Sequence, residues 1–228
     1  GFRSMKFEWD WEYALEILPI LGEASLITIQ ATLLGFFIAA TLGLGFAVAR
    51  MYGSRILQSI TGFIVEAIRS TPLLVQIFFI YYVLPNFGLA LEAMTAGILA
   101  LGVHYACYCS EVYRAGIQAV PKGQWEACTA LNMGLQDKFI RIILPQAIPP
   151  IIPMLGNYLI GLFKETPLLS AIAILELMQT AKILGSESFQ YIEPVTLVGA
   201  FFLVFSMISA LLVKWIEHTL NQARWRVR

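Results

Sequence analysis

The chain has 228 residues, 58% of them hydrophobic and only 13% charged. Soluble domains carry about 45–50% apolar and about 25% charged residues, so this composition points to a membrane protein and excludes disorder. The 15 basic and 15 acidic residues cancel, which leaves no basic field of the kind nucleic-acid binding uses.

Gly1-Phe2-Arg3-Ser4 precedes Met5 and reads as a tag remnant. An acidic segment follows up to residue 23, and Trp9, Trp11 and Tyr13 would anchor it as an interfacial amphipathic helix. Charge-free windows then cover 24–49, 70–91, 93–110, 142–163 and 194–213. Each is close to or above the roughly 18–20 apolar residues that cross a hydrocarbon core of about 30 Å. The expected fold is all-α, with five transmembrane helices in one domain over 24–218 and a basic tail over 219–228. The three cysteines, Cys107, Cys109 and Cys128, have neither metal-ligand spacing nor a disulfide framework and read as small buried hydrophobes.

The links between the spans differ in charge. Arg50 and Arg55 follow the first span, whereas the link after the second has Glu92 and no Lys or Arg. Arg114, Lys122, Lys138 and Arg141 stand between the third and fourth spans, and Lys214, Arg224, Arg226 and Arg228 follow the fifth. The positive-inside rule then puts the N-terminus outside and the C-terminus in the cytoplasm. Span 4 is crowded by Pro145, Pro149, Pro150 and Pro153 and ended by Lys164-Glu165-Thr166-Pro167. Counted from Pro149 it reaches only about 22 Å, so the helix should break at membrane depth, with 168–181 as a second short helix.

The longest polar link, about 115–145, has helical order of its own. Pro121 and Gly123 open it, Gln124 to Leu131 favours helix, Asn132 suits a left-handed corner, and Asp137 to Leu144 resumes helical spacing. Glu126-Ala127-Cys128, Asn132 and Ile142-x-Leu144-Pro145 together resemble the EAA loop of type I ABC importer permeases. The family pattern is EAA, three residues, Gly, nine residues, then I-x-L-P. The spacing matches, with Cys128 at the second Ala and Asn132 at the Gly. Ser70-Thr71-Pro72-Leu73-Leu74-Val75-Gln76, Glu111-x-x-Arg114-x-Gly116-Ile117, Val120 to Glu126, Leu144-Pro145-Gln146-Ala147 and Lys164-Glu165-Thr166-Pro167 resemble the polar amino-acid branch of that family. Within it, Glu126 to Asn132, Ile148 to Pro153 and Gly185 to Pro194 look like permease subunits of ectoine and hydroxyectoine uptake systems.

The resemblance implies a permease subunit of the bacterial inner membrane with no catalytic residue, metal or bound cofactor of its own. ATP and Mg²⁺ would belong to a separate ATPase pair, and the chain contains no GxxxxGK[ST] phosphate loop. The other implied partners are a second permease, identical or homologous, an extracytoplasmic solute-binding protein and membrane lipid. Gly123, Glu126, Ala127, Asn132 and Gly134 would form the ATPase-docking surface. Thr71, Gln76, Asn157, Lys164, Glu165 and Thr166 are the candidates for the solute path, since ionisable groups at membrane depth are costly and default to function. A Lys164–Glu165 pair that only holds the helix break is the competing account of those two. Glu66 with Arg69, and Glu111 with Arg114, read as structural pairs, and His104 as an interhelical hydrogen-bonding group rather than a proton relay. An ion-gradient transporter or channel would want more intramembrane acids and an internal repeat, and a membrane enzyme a nucleophile–base set. Neither pattern is visible.

Overall fold

The computed structural model describes residues 9–225. Every regular element among them is helical. Helix α1 runs from Trp11 to Tyr52 over 42 residues. Asp10 caps its start by accepting from Tyr13 N at 3.0 Å. The segment expected to lie apart as an interfacial helix therefore continues α1 from Trp11, and residues 1–8 lie outside the described part. Ile17, Leu21 and Ala24 of this end pack on Leu177, Ala181 and Val198, and the Tyr13 hydroxyl bonds Ser188 Oγ at 2.7 Å.

Helix α2, Arg55–Arg69, was not foreseen. Ser54 caps it, and it meets the following helical stretch, Leu73–Phe87, at 105°. Ile56, Ile60 and Phe63 on α2 are exposed while Thr61 and Val65 are buried. The apolar face thus points away from the protein, as suits a helix lying in the membrane interface. The second crossing begins with α3, Leu73–Phe78, which continues through a π turn, Phe79–Val83, and a 3-10 turn, Leu84–Phe87.

Helix α4, Ala93–Gln118, is the centre of the molecule. It crosses α1 along a stripe of small residues that includes Ala31, Gly35, Ala39 and Gly43. A Cβ on Gly43 would stand 2.7 Å from the Ala106 carbonyl oxygen, and one on Gly102 would stand 2.7 Å from Ile38 Cβ. Small residues let the two backbones touch, which in lipid replaces the hydrophobic drive that water would supply.

Helix α5, Lys122–Ala130, is the helix expected within the longest polar link. Asn132 closes it with φ +55°, the left-handed corner read from the sequence. A single turn, α6, Leu135–Asp137, leads through a π-helical stretch, Lys138–Ile143, into α7, Leu144–Glu165. Here the sequence expectation needs correction. Pro149, Pro150 and Pro153 lie inside α7 instead of starting it, so its 22 residues reach about 33 Å, enough to cross. Membrane helices tolerate prolines where nearby groups take up the freed carbonyls.

After Glu165 the backbone tightens to a 3-10 helix, Thr166–Ile172, and turns at Ala173 with φ +59°. The second short helix is α8, Leu177–Ser188, later than the expected 168–181. Helix α9, Ile192–Trp225, closes the chain. Among the described residues four helices are long and apolar enough to cross a membrane, and the bent pair α2–α3 makes a fifth candidate if it acts as one span. Of the apolar window in α4, 61% is buried inside the protein, against 6% in α9, so α4 is the hub and α9 is peripheral.

Candidate functional site

Two places stand out, one between α4 and α7 and one at the corner α5–α6. The first is a cleft of about 550 Å³ between α4 and α7, lined by His104, Tyr105 and Tyr108 from α4 and by Met154, Asn157, Tyr158, Gly161 and Glu165 from α7. That volume suits a small-molecule site. The helical repeat explains the lining: 154, 157, 158, 161 and 165 fall on one face, as do 104, 105 and 108. Aromatic rings form the walls. His104 and Tyr108 have centroids 5.3 Å apart, and Tyr108 and Tyr158 5.7 Å. Faces of this kind attract cations.

The cleft wall holds an unsatisfied polar atom. Glu165 Oε2 is buried without a hydrogen-bond partner among the described residues, and Tyr105 is the phenol facing that carboxylate. A buried carboxylate oxygen with no donor is costly unless something else supplies one. Beneath the cleft, the Arg69 guanidinium stacks over the Tyr108 ring at 5.1 Å. Arg69 reaches Glu66 at 3.6 Å and Glu111 at 3.9 Å, while Arg114 holds Glu111 at 2.9 Å and Arg50 bonds the same carboxylate. One carboxylate therefore gathers α1, α2 and α4 below the cleft.

Of the path candidates, Asn157 and Glu165 line the cleft. Gln76 joins it indirectly, with Oε1 3.1 Å from His104 Nδ1, and Thr71 is bonded to Gln76. Lys164 and Thr166 are not in the lining. Successive helical residues point about 100° apart, so Lys164 is exposed while Glu165 turns inward. The two form no ion pair with each other among the described residues, which removes the pair that would only hold the break. Thr166 is fully buried and donates to its own helix, to Phe163 O at 2.8 Å. Sequence reasoning did not single out Tyr105, Tyr108, Tyr158 or Gly161. Their signal was the stripe of polar and small residues at helical spacing within two otherwise apolar spans.

The second place is the corner α5–α6. Gly123, Glu126, Ala127, Asn132 and Gly134 are all exposed there, as are Leu131 and Leu135. Its underside is fixed. Trp125 packs on Phe139 at 5.5 Å and Phe139 on Tyr52 at 5.8 Å. Gln146 bonds Gln124 at 3.2 Å, Lys138 donates to Thr129 Oγ1 at 3.1 Å, and Cys128 is buried. Val112, Ile117 and Val120 at the end of α4 form a buried cluster with Ile143, Ala147 and Ile151 of the fourth crossing. Packed side chains thus connect α5 to α4 and α7, the two walls of the cleft.

Comparison with known proteins agrees with this geometry. A family model described as the inner membrane component of binding-protein-dependent transport systems matches residues 24–222. A probable amino-acid ABC transporter permease of Sinorhizobium fredii is 44% identical over 216 residues, covering 92% of this chain and 94% of the relative. The L-cystine transport system permease of Bacillus subtilis is 37% identical, over 90% and 86%. Among solved structures, a chain from an amino acid ABC transporter with histidines superposes with TM-score 0.88 at 33% identity, covering 93% of this chain and all of that one. The MetNI methionine transporter, TM-score 0.76 at 18% identity, shares the fold. The chain belongs to the family of binding-protein-dependent transport system inner membrane components, the permease subunits of type I ABC importers.

Proposed function

We propose that this chain conducts a polar, zwitterionic amino acid through the cleft between α4 and α7, in an importer driven by a separate ATPase pair docked on α5. A second permease and an extracytoplasmic solute-binding protein complete the assembly. The unpartnered Glu165 carboxylate oxygen in an aromatic cleft carries this reading. It wants a donor, the rings favour a cation, and Arg69 below supplies a positive pole for a carboxylate. The relatives' names support the amino-acid class, among them cystine and glutamine systems. Ectoine and hydroxyectoine share the zwitterionic pattern and belong in the test panel as the narrower alternative. The N-terminus outside and the C-terminus in the cytoplasm complete the proposal. The Arg50, Arg69 and Arg114 cluster gives that orientation its inner, positive side.

The test is uptake into liposomes holding the assembled transporter and its binding protein, with L-glutamine, L-cystine, L-histidine and ectoine offered in turn. Uptake of one of them that depends on ATP and on the Glu165 carboxylate supports the reading. Uptake of the preferred solute at wild-type rate and KM by Glu165→Gln removes the cleft from the path.

A further inference from the structure

Gln76 lies outside the cleft and yet decides what His104 presents to it. The Gln76 amide is held by three oxygens. Nε2 donates to Ile68 O at 2.8 Å, to Thr71 Oγ1 at 2.6 Å and, at 3.2 Å, to Thr71 O. Two of these are backbone carbonyls, which can only accept. A flipped amide would set Oε1 against them, so the orientation is fixed by chemistry. The Thr71 hydroxyl spends its own proton on Ile68 O at 3.0 Å and accepts from Gln76, which agrees with this orientation.

Oε1 therefore faces His104 Nδ1, 3.1 Å away, and can only accept. His104 Nδ1 must carry the proton of that bond. In a neutral imidazole the other nitrogen, Nε2, is then a bare acceptor. His104 lines the cleft, and its Nε2 has no hydrogen-bond partner among the described residues. Across the same cleft stands Glu165, whose Oε2 is buried and has no hydrogen-bond partner among the described residues.

We propose that Gln76 is a positioning residue that holds His104 as the Nδ1–H tautomer, so that His104 Nε2 and Glu165 Oε2 together accept from the ammonium group of the transported amino acid. This rests on the cleft being the solute site. A primary ammonium brings three N–H donors and satisfies both acceptors at once, with the tyrosine faces around it. A trimethylated ammonium carries the same charge and no donor. The device thus selects on N–H count, and it rejects by leaving both acceptors unpaired, the strong form of discrimination. The same hydrogen bonds lock the 105° elbow between α2 and α3, so the residue that sets the acceptor also sits at a joint of the fold.

Nitrogen-15 NMR of the histidine-labelled, assembled transporter tests this directly, the His104 signals being those that vanish in His104→Asn. Expected without solute is a protonated Nδ1 and a pyridine-type Nε2. The preferred solute, taken as whichever of L-glutamine, L-cystine and L-histidine most stimulates ATP hydrolysis, should shift Nε2, and its Nα-trimethyl analogue should not. Gln76→Met, which keeps the shape and removes the acceptor, should lose the fixed tautomer and raise the solute KM about tenfold with kcat changed less than about twofold. A protonated Nε2, as the other tautomer or as imidazolium, overturns the relay. A correct tautomer whose Nε2 does not move with solute, while Glu165→Gln still impairs uptake, overturns the clamp and spares the cleft. Neither response appearing overturns both. Equal kcat and KM losses in Gln76→Met would assign that residue to the elbow alone.

Discussion

At the α5–α6 corner the supporting polar groups are paired and only the outward face is free. In the cleft the reverse holds. Thr129, Lys138, Gln124 and Gln146 bond one another beneath α5, and Trp125 and Phe139 pack there, while Glu126 stands exposed. In the cleft, the walls are rings and the unpaired groups are acceptors, the buried Glu165 Oε2 and the second nitrogen of His104. Both places stand on α4 and α7. A surface that must meet another protein needs a rigid mount and an unspent outer face. A site that must bind and release a solute needs unspent groups within a fixed frame, since a fully satisfied pocket has nothing to offer a ligand.

Substitutions at four positions sharpen that contrast. The largest effect is expected for Glu126→Lys, which reverses charge on the free face and leaves the mount untouched. Co-purified ATPase should fall at least about tenfold, with normal permease yield in the membrane. Normal ATPase recovery and normal uptake together would take Glu126 out of the docking role. Next comes Glu165→Gln, expected to raise the solute KM about tenfold while the amount of assembled complex is unchanged. A drop in assembly instead would make Glu165 a structural acid. Asn132 follows. With φ +55°, Asn132→Gly should be neutral or stabilising, and Asn132→Val should cost about 1–2 kcal/mol, read as a lower melting temperature of the complex. Equal melting of all three proteins would mean that the corner relaxes out of the left-handed region. The smallest effect belongs to Thr166→Val. Its hydroxyl serves only Phe163 O within its own helix, so uptake should stay within about twofold of wild type. A larger loss would return Thr166 to the solute path.

The sequence foretold these two places unequally. The corner was legible because its chemistry is local. Pro121, Asn132 and the helical spacing of Trp125, Leu131, Phe139 and Ile143 specify helix, turn and helix within one short stretch, and α5 with its left-handed Asn132 follows. The cleft is assembled from α4 and α7, whose lining residues are about fifty positions apart, and no local pattern pairs them. Glu165 and Asn157 were visible as polar groups in apolar spans, but the neighbouring Lys164 and Thr166 carried the same signal, and only the rotation of the finished helix separates them. The prolines of span 4 misled for a related reason. In water they would start or break a helix, whereas in lipid the alternative to helix is worse, and α7 runs through them. Helix α2 was missed because its apolar face is turned outward, and a reading built on charge-free windows does not register a short amphipathic helix.

The central claim is that solute passes between α4 and α7. Asn157 stands at the rim of the cleft and is exposed, so a cysteine there should be reachable from water. The buried Cys107, Cys109 and Cys128 can be replaced by alanine to give a silent background. In the assembled transporter, Asn157→Cys should react with a small hydrophilic thiol reagent, lose uptake on modification, and be protected by the preferred amino acid. Ready modification with uptake intact and no protection by any transported solute would contradict the account, because the solute would then be passing elsewhere.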